Sequence, residues 1–217
     1  YQAFQPFLEL IGQAPRQKVM LDCSLRAVRE AYLTRAEKFV ATLPSSFNSL
    51  KVHILYQRLI HDRVQGKENE KRFLDYLALP RNVSYLNPKW REKEPVLWRH
   101  PADLGRDYRK VTTLPSAQGG DEPLVKSYLL KFLKEDQDTT KFAPYLRESW
   151  LRRVFAESKI TNGIGKPSDW AALLSPSEFQ ALKDRVEIKF DTTNQESYAI
   201  EDDVILKVHL KNVPKLI

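Results

Sequence analysis

Apolar residues recur three and four positions apart over two long stretches near the start of the chain. Leu25, Val28, Tyr32, Ala36, Phe39 and Leu43 fall on one stripe, and Phe47, Leu50, Ile54, Leu55, Leu59 and Val64 on another. This is the period of helices that bury one face. Only Leu43-Pro44-Ser45-Ser46 separates the two stretches, so the pattern predicts an antiparallel pair packed stripe against stripe. Ser24 reads as the N-cap of the first helix, and Gly66 as the end of the second, since glycine tolerates the left-handed conformation. A short helix is predicted over 2–12 and another over 69–78, from Asn69 to the stop at Pro80.

From 80 to 121 the pattern breaks. Pro80, Pro88, Pro95, Pro101 and Pro115 interrupt it, and Gly119-Gly120 closes it. The spacing allows short helical turns at 88–93 and 101–109, and Tyr85, Trp90, Trp98 and Tyr108 predict that part of this connector is packed down. Connections this long inside a compact unit are uncommon and often functional. Helical spacing resumes at Asp121-Glu122-Pro123, with Asp121 as a cap, and continues over about 147–160 to Asn162-Gly163. Short helices follow near 167–174 and from Ser175-Pro176-Ser177-Glu178, a capping-box pattern.

After residue 185 the period changes from 3.6 to 2. Val186, Ile188 and Phe190 alternate with polar residues, as do Val204, Leu206, Val208 and Leu210 after a polar gap, and Val213, Leu216 and Ile217 would begin a third strand. Alternation indicates strands with one buried face. Two strands and a fragment are marginal alone. The expected fold is therefore mainly α: an irregular bundle or array of antiparallel helix pairs over 1–185, then the start of a truncated β-sandwich over 186–217. Tyr1 in place of methionine and the apolar close Lys215-Leu216-Ile217 fit a segment of a longer polypeptide.

Charge adds little. The chain carries 35 Lys+Arg against 28 Asp+Glu, a net +7 with the signs interspersed. Even the most basic stretch, 89–110, holds seven cations against four carboxylates. Nucleic-acid binders usually concentrate their excess on one face. No apolar run approaches the ~20 residues of a membrane span, and one cysteine excludes an internal disulfide.

The chemical motifs are as sparse. His53 and His61, eight apart on one helix, stand about 12 Å from each other and cannot share a metal ion. Gly163-Ile164-Gly165-Lys166-Pro167 lacks the preceding strand and the Ser/Thr of a phosphate loop and reads as a helix stop. Cys23, flanked by Asp22 and Ser24, reads as a packed thiol. Asp202-Asp203 reads as turn acid, with too few oxygen ligands for a calcium loop. Asn82-Val83-Ser84 fits a glycosylation acceptor, which matters only in a secretory context. No catalytic, cofactor-binding or metal site follows, and no cofactor is implied.

What remains is a candidate binding surface on the connector: Trp90, Arg91, Trp98, Arg99, Arg106, Tyr108 and Arg109. The leading expectation is a non-catalytic scaffold or protein-interaction segment of a larger protein, whose partners are other proteins or other domains of the same polypeptide. The alternatives are an enzyme's accessory domain with a site built by 80–121, and weak nucleic-acid binding by Arg/Trp stacking over 89–110.

The segment Val186-Glu187-Ile188-Lys189-Phe190, with Asp202-Asp203-Val204-Ile205-Leu206-Lys207-Val208 and Lys211-Asn212-Val213, resembles the β-sandwich modules of large bacterial multidomain proteins of the alpha-2-macroglobulin type. The resemblance implies a multidomain setting outside the cytoplasm. The family's thioester needs Cys followed by Gly-Glu-Gln, whereas Cys23 is followed by Ser24-Leu25-Arg26. No functional residue carries over.

Overall fold

The structure, a computed structural model, describes residues 21–117, 119–190 and 204–213. The helix expected over 2–12, the thiol of Cys23, the Asp202-Asp203 pair, and Leu216 and Ile217 of the expected third strand lie outside the described residues. The elements run α1 (Leu21–Ala41), α2 (Asn48–Val64), α3 (Glu70–Ala78), α4 (Pro88–Lys93), α5 (Arg109–Thr112), α6 (Glu122–Glu135), α7 (Glu148–Thr161), α8 (Pro167–Ala171), α9 (Pro176–Asp184), β1 (Glu187–Phe190) and β2 (Val208–Lys211). Single 3-10 turns lie at Ser45–Phe47 and Leu97–Arg99. The mainly helical expectation is met, and a two-stranded antiparallel sheet closes the described chain.

Local signals set most boundaries. Asn69 accepts from the Arg72 amide at 2.9 Å. Ser175 and Glu178 form the reciprocal capping box. Gly66 and Gly163 sit at φ of +64° and +66°, where a side chain would strain the turn. Two expected caps are different. The chain is already helical at Leu21, so Ser24 lies inside α1. Asp121 makes no side-chain cap, because its carboxylate is engaged elsewhere. The turn expected over 101–109 is replaced by the 3-10 turn Leu97–Arg99 and by α5.

α1 and α2 pair as an antiparallel hairpin, but the buried stripe of α1 is rotated from the expected one. Tyr32, Leu33, Ala36 and Val40 pack on Ile54 and Leu114, while Val28 is half exposed. α2 is the central helix. It buries Ile54 against α1, and Val52 and Leu59 in a larger core with α3, α6 and α7. In that core Phe73 stacks on Tyr128 at 5.0 Å and meets Phe142 edge-on at 5.9 Å. The Tyr128 hydroxyl donates to the Leu59 carbonyl at 2.8 Å. Surrounded on three sides, α2 also buries Asn48, His53, Gln57, Arg58, His61 and Asp62, and each of these has work to do.

Three of the six, with Tyr32 of α1, hold the connector. Buried backbone polar groups need partners, and an irregular segment cannot supply its own. The Tyr32 hydroxyl donates to the Thr112 carbonyl at 2.9 Å. Asn48 Nδ2 donates to the His100 carbonyl at 2.9 Å, and Gln57 Nε2 to the Pro115 carbonyl at 2.7 Å. His53 Nε2 meets Thr112 Oγ1 at 2.9 Å. That hydroxyl already donates to the Tyr108 carbonyl, so His53 is the donor and carries its proton on Nε2. The connector's first half is clipped instead to the segment before α7. The Arg147 amide donates to the Tyr85 carbonyl at 2.8 Å, and the Asn87 amide to the Tyr145 carbonyl at 2.9 Å.

Arg81 and Asp121, at the two ends of the connector, form a fully buried ion pair with Nε 3.1 Å from Oδ2. The guanidinium lies 4.2 Å from the centre of the Tyr76 ring and donates to the Tyr76 carbonyl. The Tyr76 hydroxyl donates to Asp121 Oδ2 at 2.7 Å. Burial pushes the Tyr76 and Tyr85 phenols well above their ordinary range.

In the sheet, Ile188 pairs with Leu210 and Phe190 with Val208, so these four share one face. That face was expected to be buried. Among the described residues Ile188, Phe190 and Leu210 remain 53%, 66% and 46% exposed. The sheet's base is nevertheless fixed. Asn212 Nδ2 donates to the Arg185 carbonyl at 3.0 Å, Lys211 Nζ donates to the Leu182 carbonyl, and Arg185 pairs with buried Glu157 at 2.9 Å.

Candidate protein-interaction surface

The seven candidate residues of the connector separate into two groups. Trp90 donates its indole N–H to the Ala78 carbonyl at 3.2 Å and meets Tyr145 edge-on at 4.8 Å. Arg91 lies 5.7 Å from the Trp98 ring, and Trp98 packs against the main core. Arg99 is exposed beside it in the 3-10 turn. The tryptophans are thus occupied in holding the connector down. Arg106 and Tyr108 stand elsewhere, against the turn of the α1–α2 hairpin, and Arg109 is exposed at the start of α5.

At that turn Arg106 and Tyr108 help to complete a pocket. Phe39, Val40 and Leu43 come from the end of α1, and Ser46, Phe47, Leu50 and Ile54 from the turn and α2. Arg106, Tyr108, Val111 and Thr112 form the facing wall, around a volume of about 230 Å³. Small-molecule sites usually run to ~300–1,000 Å³, so this one is sized for a side chain. Pro44 makes the hairpin turn by ending α1, and Thr113, in the left-handed region at φ +58°, ends α5. Tyr108 is buried with its ring 5.3 Å from His53, so the wall stands on the same hydrogen bonds that hold the connector. Burial pushes the His53 imidazole down to about 4, against a small opposing pull from Asp107.

The two arginines differ. Arg109 is paired with Asp107 at 2.8 Å, and that hydrogen bonding holds the Asp107 carboxyl at about 2. Arg106 lies 5.4 Å from the Tyr108 ring and forms no ion pair among the described residues. Of the apolar residues of this pocket, Phe39, Leu43, Phe47, Leu50 and Ile54 were legible as helix-stripe positions, while Val40 and Val111 were not. That they line a cavity was not legible, since the facing wall comes from residues more than fifty positions away.

A second charged groove lies between α1, α2 and α3. Arg58 reaches Glu30 at 2.6 Å and Asp62 at 3.0 Å. His61 meets Glu30 at 2.9 Å, and Arg72 reaches Glu37 at 2.7 Å and also Asp62. Burial raises the Asp62 carboxyl despite Arg72 and Arg58. Burial also opposes ionisation of Glu30, but Arg58 and His61 outweigh it and hold that carboxyl low. Opposite charges here satisfy one another, which marks a latch between helices. Among the described residues no cluster of three or more metal-ligating side chains occurs, and no helix is long and apolar enough to cross a membrane.

The fold and this surface define a mainly helical module with a side-chain-sized pocket. The chain belongs to the family of the actin-binding protein F N-terminal domain, whose model matches residues 14–186. It is 31% identical over 198 residues to actin-binding protein F of Dictyostelium discoideum, an alignment covering 89% of this chain and 8% of that protein. The chain therefore spans a small part of the length of the curated relative it matches. No solved structure matches it. The match overturns the resemblance to proteins of the alpha-2-macroglobulin type, and the extracytoplasmic expectation that rested on it lapses. The residues behind that resemblance are the alternation of any half-buried strand, whereas the family match runs through the helices.

Proposed function

We propose that this chain is a non-catalytic protein-interaction segment of a larger actin-binding protein, and that actin is a partner it contacts. The family match over 14–186 carries the proposal, and the hairpin-end pocket supplies a surface of suitable size and character. The seven connector residues enter through Arg106 and Tyr108, which line that pocket. The two other readings of 80–121, an enzyme's accessory site and a nucleic-acid surface, have no such support, and Trp90 and Trp98 are engaged in packing. The test is co-sedimentation with filamentous actin. The chain is expected in the pellet in proportion to the filament present; a chain that stays in the supernatant at every filament concentration would sink the actin reading.

The same proposal includes a boundary near residue 185 between the helical module and the start of a β-sandwich-like module. Two observations support it: the family match stops at residue 186, and the apolar face of β1 and β2 is exposed, as two strands awaiting further layers would be.

A further inference from the structure

We infer that the hairpin-end pocket receives a bulky apolar side chain from an acidic segment of the partner protein, its flanking carboxylates meeting Arg106, Lys38 and Lys51. The inference rests on the protein-interaction reading and says what chemistry the partner must bring. The pocket lining is apolar or hydroxylic apart from one charge, Arg106. Phe47, on its rim, is 38% exposed. On the other side of the same hairpin, a shallow groove of about 560 Å³ runs beside Val40, Ala41, Leu55 and Leu79 and carries Lys38 and Lys51. Val40 lines both, so the pocket and the groove are neighbours across α1.

The charges around this end do not balance. Asp107 is committed to Arg109, Asp75 to Lys71, and Glu37 to Arg72. Arg106, Lys38 and Lys51 have no ion pair among the described residues. Burial holds the Lys51 amine below its ordinary range, so a carboxylate brought beside it would restore the lost stabilisation of its charge. An apolar pocket flanked by unmatched cations favours a partner with the reverse arrangement, an apolar anchor among carboxylates. A basic partner would meet three unmatched like charges, and a neutral one would leave them uncompensated.

The test uses three fluorescently labelled helical peptides with the same leucine spacing, whose polar positions are all Glu, all Gln or all Lys. Each is titrated with the folded chain and read by anisotropy. The Glu peptide is expected to bind best and to weaken as salt rises, and the Lys peptide not to bind. Arg106→Glu, at an exposed position, is expected to lower affinity for the Glu peptide by about tenfold. Phe47→Ala is expected to weaken all binding without changing the order of the peptides. Arg152→Glu, on the remote face of α7, should leave the affinity unchanged. Equal binding of the three peptides, no binding of the Glu peptide, or indifference to Arg106→Glu would each overturn the inference. Actin sedimentation of the unaltered chain is read separately: its failure removes actin as the partner while the peptide order still decides the pocket.

Discussion

Between Pro80 and Gly120 five prolines keep any regular element short, yet Tyr85, Leu86, Ala102, Tyr108 and Leu114 are buried there. β1 and β2 alternate apolar and polar residues in step, yet Ile188 and Phe190 stand more than half exposed. The irregular segment is thus part of the core, while the regular one lies open on its apolar face. The difference lies in what each finds within the described chain. The connector meets Tyr32, Asn48 and Gln57, which donate to its backbone carbonyls, His53, which donates to the Thr112 hydroxyl, and an aromatic core that takes its side chains. The sheet is held at its base by Arg185, Lys211 and Asn212, but among the described residues no layer covers its apolar face. Periodicity reports the shape a segment prefers; burial depends on what the rest of the molecule offers it.

The strongest challenge to this contrast is at the connector's ends. Arg81→Met would leave Asp121 buried without its counter-charge, and stability is expected to fall by about 3–5 kcal/mol. Urea unfolding would report the loss. Arg81→Met with Asp121→Leu should recover most of it, because the pair is then replaced by apolar groups. An unchanged midpoint in the single variant would mean that the connector is fixed by something else.

A middle-sized effect is expected from pH at the His53–Thr112 contact. In the folded chain His53 titrates at about 4, below the ordinary 6.5. The unfolded chain therefore takes up this proton first as pH falls. The stability held by neutral His53 is complete above about 6.5 and is lost as pH drops toward 4, on the order of 3 kcal/mol. His53→Gln is less stable at neutral pH but should lack this component of the slope. Unfolding curves of the two proteins with the same slope between those pH values would place the imidazole in contact with water. The smallest effect belongs to the sheet. Phe190→Ser removes a large apolar side chain that touches little, and is expected to change stability by less than about 0.5 kcal/mol. A loss of several times that would show the face to be covered.

The parts of this fold that were legible were those decided within one turn of chain. Asn69, Ser175 with Glu178, Gly66 and Gly163 each satisfy or release backbone groups three or four residues away, so their chemistry can be read from spacing alone. The pairing of α1 with α2 was legible because their connection is too short for another arrangement. Asp121 shows where such reading stops. A cap was the local answer, but Arg81, forty positions earlier, outbid the helix end for its carboxylate. The pocket was invisible for the same reason: its walls come from distant segments, and nothing in the spacing of Phe39, Leu43 and Leu50 says that Tyr108 returns to face them. Arg106 and Tyr108 stand out in the sequence as a basic-aromatic pairing, but the pocket wall they form shows only once the hairpin turn closes against them.

The pair Arg81–Asp121 also bears on how this protein can change in length. Two residues forty apart in sequence meet at 3.1 Å, so the connector's two ends stand side by side. Between these ends most of the connector packs back into the core. Each doubling of a flexible loop costs only about 0.6 kcal/mol of closure entropy, and the run from Glu92 to Val96 is exposed along its whole length. Extra residues, or an entire reporter domain, grafted between Pro95 and Val96 would hang from the molecule without the helices having to accommodate them.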